Sequence, residues 1–329
     1  MLTFLIMAGG KGERFFPLST KERPKQLLKV FSNKSLIELT YERILPMVDS
    51  AKQIFVSTNE LQVKALKEEL KDIPEENIII EPAFRDTASA IAYGSYIISK
   101  YYDNPTICVL ASDHLISDGD NFRNTIKIAT DCALNGNIVT LGIKPTYPEV
   151  GYGYIEVKET KINTPVEVLA FKEKPSYEIA QKYYESGNYL WNSGMFVWKV
   201  STILKNMKKF LPDTYEGLLE IQNAIGTEQQ DMVLENVFSK FEAESIDYGI
   251  MEKADHIYIL PGTFGWDDVG SWLAVGRIKK SNEDGNIVEG NIITVDSKNC
   301  IIQGGKKLIA TVGVEDLIVV DTELSLIHI

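Results

Sequence analysis

At 329 residues with 44% hydrophobic content, the chain has enough apolar material for one large domain plus a small one, which excludes a disordered protein. Its 34 basic against 46 acidic residues give a formal net charge of -12, so no nucleic-acid partner is expected and any anionic substrate must meet a local cluster of cations. No run approaches the roughly 20 apolar residues of a membrane span and the N-terminus lacks leader character, so no membrane partner and a cytoplasmic location are expected.

In chain order, residues 3–8 form an apolar run of strand length that leads at once into Gly9, Gly10 and Gly12, with Lys11, Arg14 and Lys25 close by. Backbone amides of such a turn can face a ligand, and the cations around it suit a polyphosphate. Pro17 and Pro24 stiffen the segment between them. The loop lacks the closing Gly-Lys-Ser/Thr of a P-loop and the third glycine of the dinucleotide fingerprint, and plain turn chemistry between strand and helix is the alternative reading.

Further short apolar runs at 53–57, 77–80, 106–111 and 137–141 predict strands buried on both faces. Helical spacing lies between them at 35–47, 60–70, 87–101 and 121–134, with Asp86 and Asp120 as N-caps of the last two. This alternation predicts an α/β fold with a doubly wound mixed sheet and ligands outside the carboxyl ends of its strands. Strands at 151–157, 166–171 and 194–200 and helices at 177–186, 201–210 and 231–241 extend the same domain on the substrate side. Beyond residue 272 the pieces NIITVD, CIIQGG and DLIVVD recur between polar turns, predicting a small β domain built as β-helix coils, with a β-meander as the alternative. The expected division is a catalytic domain over 1–275, a β domain over 285–322 and a non-native tail over 323–329.

Cys108, Cys132 and Cys300 read as buried thiols rather than a disulfide framework, and His114, His256 and His328 are too scattered for a structural zinc site. Carboxylates suited to a divalent cation stand at Asp113, which closes the apolar run in TICVLASDHLI, and at Asp267 and Asp268 in GWDDVGSW. Two of them can hold Mg²⁺ while substrate phosphates complete its shell, and Asp267 has a competing role as a turn residue. His114 either contacts a phosphate or orients Asp113. The FKEKP segment carries Glu173 and Lys174, which read alone are an ordinary charged turn. Gly151, Tyr152 and Gly153 permit close backbone approach, and Asn192 in WNSGMF offers an amide to adjacent hydroxyls.

The run GGKGERFFPLSTKERPKQ resembles the signature of the sugar-1-phosphate nucleotidylyltransferases, and its PLS and PKQ elements resemble the mannose-1-phosphate guanylyltransferase branch. The likeness extends over most of residues 1–322. It implies a Rossmann-like nucleotide-diphospho-sugar transferase fold and an enzyme that forms GDP-mannose and pyrophosphate from GTP and α-D-mannose 1-phosphate with Mg²⁺. By the same resemblance, Arg14 serves the leaving pyrophosphate, Lys25 the reacting phosphates, and Asp113 and Asp268 the metal. Ala8, Gly9, Gly10, Lys11, Gly12, Glu81, Arg85, Asp86, Thr87 and Ser112 surround the nucleotide. Gly153, Glu173, Lys174, Asn192 and Asp247 surround the sugar phosphate, with helix capping as the alternative for Asp247.

A carboxylate such as Glu81 suits the adjacent N1–H and N2–H donors of guanine, and Arg85 suits O6 or a phosphate. The segment EPAFRDTASA departs from the family's EPxxRNTAPAI in having Asp86 for Asn and Ser89 for Pro. Because the sugar phosphate is itself an anionic nucleophile, no covalent enzyme intermediate is expected. A homodimer through the C-terminal domain is expected, and the cupin-type isomerase domain of some relatives, with its phosphomannose isomerase activity, is not. The alternatives are a pyrophosphorylase for another base or sugar, and a regulatory subunit that binds sugar nucleotide without turnover.

Overall fold

The structure, a computed structural model, describes residues 1–10, 12–322 and 326–328. Strand β1 (Leu2–Met7) runs into the glycine loop, and Phe4, Leu5 and Ile6 in succession are wholly buried, so both its faces are covered. Helix α1 (Leu36–Ile44) follows, started by Ser35, whose hydroxyl accepts from Glu38 N. The alternation continues through β2 (Ile54–Asn59), α2 (Glu60–Glu69), β3 (Ile78–Glu81), α3 (Asp86–Tyr101) and β4 (Thr106–Ala111). A two-residue β5 (Leu115–Ile116), α4 (Gly119–Ala133) and β6 (Ile138–Ile143) complete this half.

The second half adds β7 (Tyr154–Val157), β8 (Val166–Lys172), α5 (Tyr177–Ser186) and the long β9 (Tyr189–Lys199). A helical lobe, α6 (Val200–Phe210), α7 (Pro212–Ala224) and α8 (Gln230–Phe238), precedes β10 (Ile257–Gly262), β11 (Trp266–Asp267) and α9 (Leu273–Ile278). The nine-stranded sheet has the order β3-β2-β1-β4-β9-β6-β10-β8-β7. Its β3-β2-β1-β4 half is parallel, as buried strands joined by helical crossovers require, whereas β9 runs antiparallel to both β4 and β6. Because β7 also pairs with β9, strands β9, β6, β10, β8 and β7 close a ring beside the open half.

Two apolar layers hold the sheet. Leu5 and Val109 pack with Ala88, Ile91 and Ala92 of α3 on one face, and Phe4, Ile6 and Leu110 pack with Ile37 of α1 and Phe122 and Ile126 of α4 on the other. Each large side chain so buried contributes about 1.5–3 kcal/mol. These layers fix the carboxyl ends of β1 and β4, where the glycine loop and Asp113 emerge.

Two helix starts differ from expectation. Asp118, not Asp120, caps α4 by accepting from Asn121 N at 2.9 Å; the helix begins at Gly119, so Asp120 falls in its first turn and pairs with Arg123. Asp86 is the first residue of α3 rather than a residue ahead of it, with φ 60° and its carboxylate on the adjacent Thr87 N, while Arg85 holds the capping position. Helix α7 was not expected; Pro212 at its first position, where the missing N–H costs nothing, is the signal that marks it.

The C-terminal strands are β12 (Ile287–Glu289), β13 (Ile292–Val295), β14 (Ile301–Gln303), β15 (Ile309–Val312), β16 (Ile318–Asp321) and β17 (Leu326–His328). Ile287, Ile301 and Ile318 stack in register in the parallel series β12-β14-β16, and β13 pairs in parallel with β15. A meander would pair neighbours antiparallel, so the coils are β-helical. Of the tail 323–329, residues 323–325 and 329 lie outside the described residues, and β17 pairs antiparallel with β16. The β domain packs on the rest through Ile287 and Val320, which join Phe15, Val30, Leu36, Trp272 and Val275 in one buried cluster.

Candidate active site

The glycine loop leaves β1 at the middle of the sheet. Gly12 has φ +56°, and a Cβ there would come within 2.6 Å of Lys25 N, so the turn admits glycine alone. Lys11 lies outside the described residues. Arg14 is exposed, and the next residue, Phe15, is wholly buried with its ring 5.1 Å from that of Trp272, whose indole N–H donates to Phe16 O at 3.0 Å.

Two clefts meet over the carboxyl ends of β1 and β4. The first, about 290 Å³, is lined by Gly9, Gly10, Gly12, Glu81, Asp86, Thr87, Ser112 and Asp113. The second, about 330 Å³, is lined by Arg14, His114, Tyr152, Gly153, Glu173, Lys174, Asn192, Asp247 and Asp268. Met7, Thr87 and Ala111 line both, so the clefts are continuous. Ala8 does not reach either; it is buried under the loop with its N–H on Ser57 O. Arg85 is a correction as well: its guanidinium turns from both clefts and donates to Ser239 O beyond α8.

Lys25 is buried where the clefts join. Its Nζ lies 2.8 Å from Asp113 Oδ2 and 2.6 Å from the carbonyl of Asp268, which brings together residues 155 positions apart in the chain. Burial pushes Asp113 up, but Lys25, with His114 and hydrogen bonds, outweighs it and holds the carboxyl below its ordinary range. The Asp268 carboxylate accepts from Tyr152 OH at 2.5 Å and from Gly270 N at 3.2 Å.

Asp267 takes the turn role: Arg277 of α9 grips it through Nε and Nη2, both at 2.9 Å, and it accepts from Val269 N. His114 accepts from the Trp266 indole through Nδ1 at 3.2 Å, which leaves the proton on Nε2, 4.0 Å from Asp113 Oδ1. Burial lowers its pKa and favours the neutral ring, which lines the second cleft beside Asp113.

Asp113 and Asp268 fit a hard divalent cation. Both are carboxylates, the hard oxygen donors such an ion takes, and among the described residues no cluster of three metal-ligating side chains exists.

In the second cleft a Cβ on Gly153 would approach Glu173 Oε2 to 2.5 Å, so backbone and carboxylate stand as close as glycine allows. Lys174 pairs with Glu173 at 3.1 Å. Asp247 opens a π-helical turn (Asp247–Met251) and accepts from Asn192 Nδ2 at 2.9 Å, so it faces the cleft. Burial, then the like charge of Glu173, pushes Asp247 up to about 7. Burial likewise pushes Glu81 up to about 7, against a hydrogen bond from the Ser57 hydroxyl at 2.7 Å. Glu81 also lines an adjoining recess of about 350 Å³ with Gly9, Asn59, Leu61, Gln62 and Phe84.

The sequence did not assign Tyr152, Arg277 or Gln62 a side-chain role. Tyr152 stood between two glycines that drew attention to the backbone, and nothing local marks the other two.

A glycine loop after the first strand of a mixed sheet, facing two carboxylates from distant segments, defines a nucleotidyl transferase. The chain belongs to the Nucleotidyl transferase family, whose model matches residues 3–284, and residues 290–327 match the MannoseP isomerase/GMP-like beta-helix domain. It is 36% identical over 329 residues to a Mannose-1-phosphate guanylyltransferase of Klebsiella pneumoniae, covering 98% of this chain and 69% of the relative. It is 37% identical over 333 residues to Mannose-1-phosphate guanylyltransferase 2 of Escherichia coli O157:H7, covering 97% and 68%. Among solved structures it superposes with TM-score 0.89 and 32% identity on one from Thermus thermophilus, described as a mannose-1-phosphate geranyltransferase, over 100% of this chain and 94% of that one.

Proposed function

We propose that the chain is a mannose-1-phosphate guanylyltransferase, joining GTP and α-D-mannose 1-phosphate into GDP-mannose with release of pyrophosphate. The observation that carries this reading is the meeting of Lys25, Asp113 and Asp268 where a glycine-lined cleft opens into one lined by Glu173, Asn192 and Asp247.

GTP occupies the first cleft, its phosphates against the Gly9 and Gly10 amides, with Glu81 accepting from guanine N1–H and N2–H. Mannose 1-phosphate occupies the second, its hydroxyls on Glu173, Asn192 and Asp247 and its phosphate near Lys174. A phosphate oxygen of the sugar forms a bond to the α-phosphorus as the bond from that phosphorus to the bridging β-phosphate oxygen breaks, and the electron pair departs with pyrophosphate. Lys25 neutralises the reacting phosphates and Arg14 the leaving group, both by placement rather than covalent chemistry. Asp113 and Asp268 would hold Mg²⁺, which when bound supplies charge neutralisation to the phosphates.

Among the described residues no helix is long and apolar enough to cross a membrane, and a cytoplasmic location is part of the proposal. A homodimer through the C-terminal domain is the other part, supported by the exposed apolar side chains of Ile293, Val295 and Val312 on the paired strands β13 and β15. Pyrophosphate release from GTP with mannose 1-phosphate tests the activity. No release with this pair, under conditions where another nucleotide and sugar phosphate react, refutes the assignment; size measured in solution, with and without those three residues changed to Ser, tests the dimer.

A further inference from the structure

The carbonyls of the glycine loop are tied from behind. Ala8 O accepts from Gln26 Nε2 at 2.8 Å, Gly9 O from Asn59 Nδ2 at 3.3 Å, and Gly10 O from Gln62 Nε2 at 3.1 Å. Gly12 O accepts from Lys25 N at 3.3 Å. Gln26 and Gln62 are also joined to each other, Gln26 Nε2 donating to Gln62 Oε1 at 3.3 Å, and Thr58 Oγ1 donates to the same oxygen at 3.4 Å. Both amides are buried, at 3% and 2% exposure, although Gln62 belongs to a helix whose neighbouring Leu61 is open to solvent.

A trans peptide is planar and points its C=O and the following N–H in opposite directions. Pinning Ala8 O inward therefore turns Gly9 N–H outward, and pinning Gly9 O does the same for Gly10 N–H. Among the described residues neither amide has a protein partner. A buried glutamine with both ends engaged is costly to disturb, because any replacement leaves a carbonyl without a donor in a site closed to water.

We propose that Gln26 and Gln62 are positioning residues for nucleotide phosphate: an amide relay that fixes the loop's carbonyls backward so that its N–H groups face the cleft. The proposal rests on the reading of the loop as a phosphate site. Gln26 lines the first cleft and Gln62 the recess beside it, but both amide donors are spent on loop carbonyls; the two residues act through the backbone, and their effect falls on the phosphates rather than on the base. Gln26 couples the relay to the adjacent Lys25, and Gln62 brings in α2 through the otherwise unexplained inward turn of its side chain.

Calorimetric binding of GTP and of guanosine, measured without sugar phosphate, tests this on the full chain. The wild-type protein should bind GTP more tightly than guanosine. Gln62→Met, which keeps size and removes both hydrogen-bonding ends, should weaken GTP about tenfold and leave guanosine unchanged, and Gln26→Met should do the same. The two uncharged variants are read separately, so Gln26→Met, which removes the donor to Ala8 O, tests the relay if Gln62→Met does not fold. Variants that keep the wild-type GTP-to-guanosine ratio, or that lose both ligands equally, overturn the positioning role while leaving the phosphate loop standing. A wild-type protein that does not distinguish GTP from guanosine overturns the loop reading and this proposal with it.

Discussion

Lys25 Nζ stands 2.8 Å from the Asp113 carboxylate and 2.6 Å from the carbonyl of Asp268, so one buried ammonium ties the end of β4 to the turn after β11. Removing it leaves Asp113 without its counter-charge and takes one cation from the reacting phosphates. Lys25→Met should lower kcat by about 10²-fold or more, the scale of losing one preorganised charge in a closed site. Steady-state kinetics check this, with circular dichroism confirming the fold.

The metal assignment makes a sharper demand. Asp113→Asn and Asp268→Asn each preserve size and should abolish turnover while leaving secondary structure as in wild type, with Asp113→Asn lowering the thermal midpoint because it takes the counter-charge from the buried Lys25. Normal activity in both variants would refute the assignment of these two carboxylates.

Tyr152 donates to Asp268 at 2.5 Å while packed edge-on to Trp191 and Trp266. Tyr152→Phe keeps the packing and frees the carboxylate. Loss of a group that orients a ligand costs about 10–100-fold in metal affinity or activity, so the divalent-ion concentration for half-maximal rate should rise by that order. Direct Mn²⁺ binding, followed by electron paramagnetic resonance, should weaken in parallel; an unchanged Mn²⁺ affinity contradicts the role.

Glu81, held up at about 7 by burial, can accept from both the N1–H and N2–H donors of guanine only when ionised. The KM for GTP should therefore rise as pH is lowered from 8 to 6, and Glu81→Gln should bind GTP weakly and flatten that dependence. Asp247 titrates in the same range but faces the other cleft, so its ionisation should alter the KM for mannose 1-phosphate instead. Stability moves in a defined direction too. With its folded pKa above the ordinary carboxylate value, Glu81 favours folding most below about 4.5, and that contribution is lost as pH rises through about 7. Glu81→Gln should thus gain stability relative to wild type on going from pH 5 to pH 8.

The sequence made the phosphate loop, the buried strands and the carboxylate segments legible because each is local: a run of apolar residues, a glycine cluster, an aspartate at a strand end. The parallel half of the sheet followed from the strand and helix alternation. What stayed hidden depends on chain geometry that no short window contains. Asp118 rather than Asp120 caps α4 because the helix starts two residues earlier than its apolar stripe suggests. Arg85 sits in a segment that reads as base-binding, yet the αL start of α3 at Asp86 accompanies a guanidinium directed to Ser239. The ring closed by β7 on β9, and the pairing of Tyr152 with Asp268 inside it, join residues more than thirty and more than one hundred positions apart.

The measurement that bears most directly on the account is pyrophosphate release by the purified chain with GTP, α-D-mannose 1-phosphate and Mg²⁺, with product identified as GDP-mannose. The account predicts stoichiometric pyrophosphate and GDP-mannose, lost in Asp113→Asn and Asp268→Asn. No turnover with this pair, beside clear turnover with a different nucleotide or sugar phosphate, would contradict it.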